Sequence, residues 1–473
     1  MHTPRYLPSL LFVIALGLLM ACDEREPLDA NRGYSLITRC IYSLYPVAFA
    51  DLPFSARVEF NAVDEVDTLK TQFRISFGDG KSELTPQITE ISSMQPGVRR
   101  YTSHYVSHTY GTGGDYRLEL YGLDDRLRKD TIVTIHKAPK KLGSAPTTYS
   151  SKFLWQDMSN EYHYIHVPRK PDLSIDRWAV TKLTPSLDSV STGQPVDAIW
   201  QDATNFVLLP SGNFIQVRRG VIQQFDNTGR LLGGYDMKLQ MPTGRFITAA
   251  FVNGNLLIAG DSAKHLIIRK VSLDGKVLLS RKIAELETGT RGKVPVFTSD
   301  GDLALYYVKG PRGGSEIYIY DLNGNIKSKT SVDLPVLGVF PVDSGLVVQM
   351  GGQDVVAGTM RMDLRGKILW VNGLSIQEAG DESWIFGEGD DTWIFGGQMF
   401  ATRINSSGKF VWDKYLTTNW DYVAAVTRNK AGNFVIVGRR SCLLAQYSSK
   451  PCAAGAFQFI LLEVDKDGNI IDH

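Results

Sequence analysis

The chain has 473 residues, more than one ordinary core organises, so two or three domains are expected. Its 43% apolar and 10% aromatic content excludes a disordered chain. With 51 basic against 50 acidic residues it has no field to steer nucleic acid, and no nucleic-acid partner is expected. Four cysteines (Cys22, Cys40, Cys442 and Cys452), none in a CxxC pair, argue against a disulfide scaffold and a structural zinc site.

Residues 1–22 begin with Arg5 and an apolar run from Leu10 to Met20. That run is too short to span a hydrocarbon layer of about 30 Å. It ends in Leu19-Met20-Ala21-Cys22, which resembles the lipobox of bacterial lipoproteins. The resemblance implies cleavage before Cys22, lipidation of Cys22 and a membrane anchor. Asp23-Glu24-Arg25-Glu26 resembles the surface-export signal of Bacteroidetes lipoproteins, implying an outer-membrane, surface-exposed position in the cell envelope. In an enterobacterial envelope Asp23 would instead imply retention at the inner membrane. Residues 23–51 read as a tether, with Cys40 open between a buried thiol and a pair between chains.

From 52 to 137 the pattern is that of short strands. Ser55 to Phe60, Leu69 to Phe77, Tyr101 to Tyr110, Tyr116 to Tyr121 and Thr131 to Ile135 alternate polar and apolar residues, which predicts an antiparallel sandwich. Phe77-Gly-Asp-Gly80, Ser107-His-Thr-Tyr110 and Gly114-Asp-Tyr116 resemble the core motifs of PKD (polycystic-kidney-disease-type) domains. The resemblance implies an Ig-like sandwich with a tight turn at Asp79. Asp79 reads as a turn residue that bonds backbone amides. His104 and His108 share a strand face, but about 13 Å separates them, too far for two ligands of one zinc unless a bulge intervenes. Residues 138–151, rich in Pro, Gly and Lys, read as a linker.

From 152 to 473 two families of turns alternate. One places glycine at 229, 275, 324, 366, 408 and 468, after Asp, Asn or Leu-Asp; the other at 212, 254, 301, 345, 389 and 432. A period of about 44 residues with two turns per unit means four strands per unit, the pattern of a β-propeller blade. Six blades are plain, and a degenerate first one spans Phe153 to Val190, so the fold expected is all-β: a sandwich followed by a seven-bladed propeller. The last blade reads as holding all four of its strands, so ring closure is expected to need no strand from the N-terminal side. Met362-Asp-Leu-Arg-Gly-Lys-Ile-Leu-Trp370 resembles quinoprotein-like envelope propellers. The chain lacks the strand endings of the tryptophan–aspartate repeat family and a regularly spaced tryptophan docking motif, so the resemblance implies a fold and no activity.

Tight turns at one face leave the longer connections at the other, where functional residues are expected. Arg219, Arg312, Glu382, Trp420 and Arg440 are the candidate ligand-binding residues there, with Lys309 and Arg439 beside them. In the last blade Cys442 and Cys452 bracket an insertion, and an oxidising envelope favours a disulfide between them. There is no HExxH, phosphate loop or GxSxG, and no catalytic residue, metal or cofactor is assigned. Asp465-Lys-Asp467-Gly-Asn469 lacks the distal glutamate of a calcium loop. His163 and His166, three apart on a strand, face opposite ways.

Together these features predict a lipid-anchored binding module for a glycan, peptide or protein. The alternatives are a polysaccharide lyase or hydrolase, and a structural subunit of an export or uptake complex.

Overall fold

A computed structural model of the chain describes residues 36–43, 48–51, 53–62, 73–85, 100–122, 125–142, 149–167, 178–192, 205–218, 221–236, 248–262, 265–285, 295–309, 313–352, 355–373, 383–389, 391–397, 399–417, 422–441 and 457–473. Every regular element among them is a strand. The chain divides into two compact units, one holding residues 1–138 and the other nearly all of 139–473.

The first unit holds two sheets. One is three-stranded, in the order β1 (Leu36–Ser43), β3 (Pro53–Ala62), β6 (Arg100–Thr109). The other is five-stranded, in the order β2 (Ala48–Phe49), β8 (Leu127–His136), β7 (Gly114–Gly122), β4 (Phe73–Ser76), β5 (Ser82–Leu84). Ile75, Phe77, Leu118, Leu120, Val133 and Ile135 from the larger sheet pack with Val106 of β6 in one core. The alternation that marked these strands is therefore the alternation of buried and solvated faces. One expectation is corrected here. Residues 23–51 are not a tether throughout, because β1 pairs antiparallel with β3, and β2 pairs parallel with β8. The apolar Ile41 and its neighbours form part of a sheet.

The second unit is a seven-bladed β-propeller. Its blades span residues 149–192, 205–236, 248–285, 296–332, 336–372, 383–415 and 422–471, each an antiparallel run of four strands in sequence order. At five of the seven seams the first strands of adjacent blades contact one another. The fourth strands are the exposed ones. Each blade buries one apolar face on each neighbour. Trp155 and Trp178 of blade 1 meet Phe214 and Phe225 of blade 2. Val207 and Ile215 meet Leu256 and Ile258, Leu257 and Ile268 meet Leu303 and Leu305, and Ile317 and Ile319 meet Leu346 and Val348. Trp370 meets Ile394, Phe395 meets Phe434, and Val435 and Val437 return to Tyr162 and Tyr164. A sheet apolar on both faces is stable only between two others, and the ring leaves no end blade.

The seam between blades 7 and 1 overturns the expected mode of closure. The fourth strand of blade 7, Ile470–Ile471, covers only Glu463 and Val464 of the third strand. The remaining edge, Phe459 to Leu461, pairs antiparallel with β9, Lys140–Leu142. The stretch read as a linker thus supplies the clasp, and blade 1 begins at Tyr149 inside it. Closing the ring with β9 satisfies backbone groups that a two-residue strand leaves open. Side chains add to the seam. Asn429 Nδ2 donates to Tyr162 Oη at 3.1 Å and to Glu463 Oε1 at 3.0 Å. Lys430 Nζ donates to the Met158 carbonyl and to Asn160 Oδ1, both at 3.0 Å.

Candidate functional site

Strands alternate in direction, so the turns between strands one and two and between three and four lie at one face of the propeller. Five of the seven turns between strands three and four share one construction. Oδ1 of Asp226, Asp321, Asp363, Asn405 and Asp465 accepts the amides two and four residues ahead. The glycine between those amides has positive φ, from 77° at Gly408 and Gly468 to 94° at Gly324. This disposes of a calcium reading at 465–469. Asp465 is spent on its own turn, and Asp467 Oδ1 accepts from Arg403 Nη1 at 2.8 Å.

The opposite face carries the longer connections. Arg219, Arg312, Glu382 and Trp420 lie outside the described residues, as do Cys22, Cys442 and Cys452. Arg440 lies in the strand Phe434–Ser441, paired with Gln458, and its side chain is outside the description. Two members of that face are described with their side chains. The Arg439 guanidinium sits 5.9 Å from the Tyr422 ring centroid.

The other, Lys309, belongs to a cluster on blade 4. Glu316 and Tyr318 are two apart on the strand Ser315–Tyr320 and so share a face. Strand pairing sets Tyr307 opposite Glu316 and Lys329 opposite Tyr318. Glu316 Oε1 takes Lys309 Nζ at 2.9 Å and Lys329 Nζ at 3.1 Å. Its Oε2 accepts from Tyr318 Oη at 2.5 Å. The Tyr318 hydroxyl and the two ammonium groups hold the Glu316 pKa down at about 2. Lys329 lies 5.1 Å from the Tyr318 ring centroid, and Tyr307 meets that ring edge-on at 5.5 Å. The carboxylate therefore stays ionised and is no proton donor at neutral pH. What the cluster offers a ligand is two exposed ammonium groups beside half-buried rings, which is recognition chemistry.

Sequence reasoning missed a buried acid–histidine pair in blade 1. Asp157 sits in the turn after the strand Tyr149–Gln156, and His163 lies on the next strand, Tyr162–Val167. His163 Nε2 meets Asp157 Oδ2 at 2.9 Å, and both side chains are buried. Asp157 Oδ1 accepts the amides of Ser159 and Glu161 at 2.8 and 3.1 Å, and Asn227 Nδ2 donates to Oδ2 at 3.2 Å. Burial raises the Asp157 pKa, but the His163 bond and the two amides outweigh it and leave it lowered. Trp155 stacks on the imidazole at 5.1 Å.

Asp157, His163 and Glu161 bring ligand-type atoms within 4.8 Å of one another. A cation there would have to displace the bond from His163 and compete with Lys182, which holds Glu161 at 2.6 Å. The donor set fits a locked turn better than a metal centre. Alternation along the strand relates His163 only to His166; its partner lies across a turn.

The first unit repeats the device. Asp79 Oδ1 accepts the Lys81 amide at 3.1 Å, as expected of a turn residue, and Oδ2 meets His108 Nε2 at 2.8 Å. His108 stacks on Phe77 at 4.1 Å, and Tyr110 Oη donates to the Phe77 carbonyl at 3.0 Å. β6 pairs with β3 from end to end without a shift of register, so no bulge brings His104 and His108 together.

Neither a protein-family profile nor a characterised protein sequence matches the chain. Similar solved structures include the Dos1 propeller, with 12% identity and a TM-score of 0.41 over 87% of this chain and 95% of that one. BamB from Moraxella catarrhalis has 11% identity and a TM-score of 0.34 over 69% and 97%. Dihydro-heme d1 dehydrogenase NirN in complex with DHE has 12% identity and a TM-score of 0.42 over 99% and 84%. The chain is an all-β protein whose larger unit, by its own sheets and seams, is a seven-bladed propeller.

Proposed function

We propose that this protein is a lipid-anchored lipoprotein of the cell envelope, on the outer membrane and surface-exposed, whose propeller binds a protein, peptide or glycan partner. The anchor reading rests on Leu19-Met20-Ala21-Cys22, with Cys22 as the acylated residue. The first unit is read as a PKD-like spacer, supported by the Asp79 turn and the Tyr110–Phe77 bond that its motif residues make.

The observation that carries the binding reading is the blade 4 cluster. Its one carboxylate is already neutralised, while Lys309 and Lys329 remain solvated beside tyrosine rings. Arg439 over Tyr422 repeats the combination of cation and ring. Such surfaces suit recognition of polar or acidic groups.

Two measurements test the reading. In membrane fractionation the native chain should partition with the envelope and a Cys22→Ser variant should not; equal partitioning removes the anchor. In envelope pull-downs a K309A/K329A variant should lose partners that the native chain retains. Unchanged recovery removes this face. Stoichiometric recovery of integral membrane proteins would favour a subunit of an export or uptake complex.

A further inference from the structure

The fourth strands of the blades are sheet edges open to solvent, and such edges are ordinarily blunted. Blade 1 ends in Ser189–Thr192, all hydroxyls but one. Blade 3 carries Arg281 and Lys282 on its edge. Blade 4 carries Lys327 and Lys329, held by Asp302 and Glu316. Blade 2 breaks its edge with Gly233-Gly234.

Blade 5 departs from this, and the edge of blade 6 beside it opens with apolar residues. The edge strand Ile368–Asn372 of blade 5 has no charged residue at all. The edge strand Phe410–Tyr415 of blade 6 has none before Asp413. Val371 is 60% exposed, Val411 49%, and Ile368, Leu369 and Phe410 each 41%. Among the described residues neither strand has a second neighbour in its sheet. Elsewhere on the rim an exposed apolar pair also follows the turn, as at Leu231 and Leu232, but only in blade 5 does it continue along an edge without charge, beside the apolar pair Phe410 and Val411 of blade 6.

We propose that these two adjacent edges are a docking surface for an extended segment of a partner protein, which adds a fifth strand to blade 5 or blade 6. Main-chain bonds along the edge supply affinity, and alternate side chains of the guest cover Val371, Val411 and their neighbours. Two features choose this occupant over others. A lipid surface would bury the apolar side chains but leave the edge N–H and C=O groups without partners, at a cost of several kcal/mol each; a strand satisfies them. Arg365, Lys367 and Lys409 sit exposed at the starts of the strands, against the single exposed acid Asp413. That balance favours a guest flanked by aspartate or glutamate and opposes a second copy of the same surface. The surface is separate from the blade 4 cluster and owes nothing to the anchor.

The test uses the whole chain carrying Cys22→Ser and a dye-labelled eight-residue peptide of alternating valine and threonine closed by aspartates. Binding is read by anisotropy, and hydrogen exchange should show protection at 368–371 and 410–414. V371K/V411K should weaken binding about tenfold or more, with an unchanged melting curve because both side chains are exposed. I132K, at an exposed position in the first unit, should change nothing. A peptide N-methylated at alternate amides should lose binding. Failure of the native chain to bind overturns the proposal, as does equal binding of the methylated peptide or insensitivity to V371K/V411K. Vesicle binding, with phosphatidylglycerol, or self-association that responds to the same variants in place of peptide binding would overturn it too.

Discussion

Gly408 lies so close to Trp370 that a Cβ on the glycine would stand 2.8 Å from the tryptophan Cβ. The relation recurs around the ring. A Cβ on Gly275 would stand 2.7 Å from the Tyr235 ring, one on Gly366 2.7 Å from Thr330 Oγ1, and one on Gly468 3.1 Å from the Trp412 ring. In blades 3 to 7 the turn between strands three and four is laid on the outer strand of the preceding blade. The sequence lacks evenly spaced tryptophans because tyrosine and threonine fill the same position as tryptophan. Gly408→Ala should therefore cost about 2–4 kcal/mol, combining positive φ with overpacking. Gly254→Ala, at φ 76° with open space around it, should cost only about 1 kcal/mol. Chemical denaturation of the two variants checks this, and equal losses would mean the contact contributes nothing.

The clasp separates backbone pairing from charge. Lys141→Pro removes an N–H from β9 and should destabilise the propeller by about 3 kcal/mol. Lys140→Ala removes only an exposed pair, Lys140 Nζ to Asp188 Oδ1 at 2.8 Å, and should cost about 1 kcal/mol or less. Melting temperatures in that order are expected; the reverse order would show that charge, not strand pairing, holds the seam.

His166 makes the propeller sensitive to acid. Burial lowers its pKa from 6.5 to about 4, and Thr181 Oγ1 lies 3.0 Å from Nε2. A folded pKa below the unfolded one means that the unfolded chain takes the proton first. This contribution is complete above pH 6.5 and is lost as the pH falls towards 4, by up to about 3 kcal/mol. Unfolding midpoints measured across that window should fall more steeply for the native chain than for a His166→Gln variant. Parallel curves would exclude the histidine as the cause.

The Asp157–His163 pair should behave as a fastener and not as a metal centre. His163→Ala leaves a buried carboxylate short of a donor and opens space beside Trp155, at a cost of about 3 kcal/mol. Neither a chelator nor added zinc should move the melting temperature of the native chain. A zinc-dependent rise that the variant lacks would reinstate the metal reading.

The repeat was legible because tight turns declare themselves through glycine. All six glycines of the turns after Asp226 to Asp465 have positive φ, as do five of the six in the alternate family. Gly345 is the exception. It is paired with Val342 in a two-residue hairpin, where a Cβ would lie 2.1 Å from the Met362 carbonyl. Strand pairing over long sequence separations was not legible. β9 has three residues and no pattern of its own, and only the short last strand of blade 7 explains why it is needed. β1 and β2 were hidden in the same way behind mixed composition. The Asp157–His163 pair depends on a turn bringing neighbouring strands together, which side-chain alternation along one strand does not reveal. Lys309 was expected on the functional face, but its acid and its ring lie on other strands of the blade.

The union of Lys140–Leu142 with Phe459–Leu461 also orders events in time. Synthesis proceeds from the N-terminus, so β9 emerges before its partner, with six whole blades between them. Until that partner arrives, the flank of blade 1 that carries Tyr162 and Tyr164 stays uncovered. A chain interrupted before Phe459 would leave a circle that never shuts.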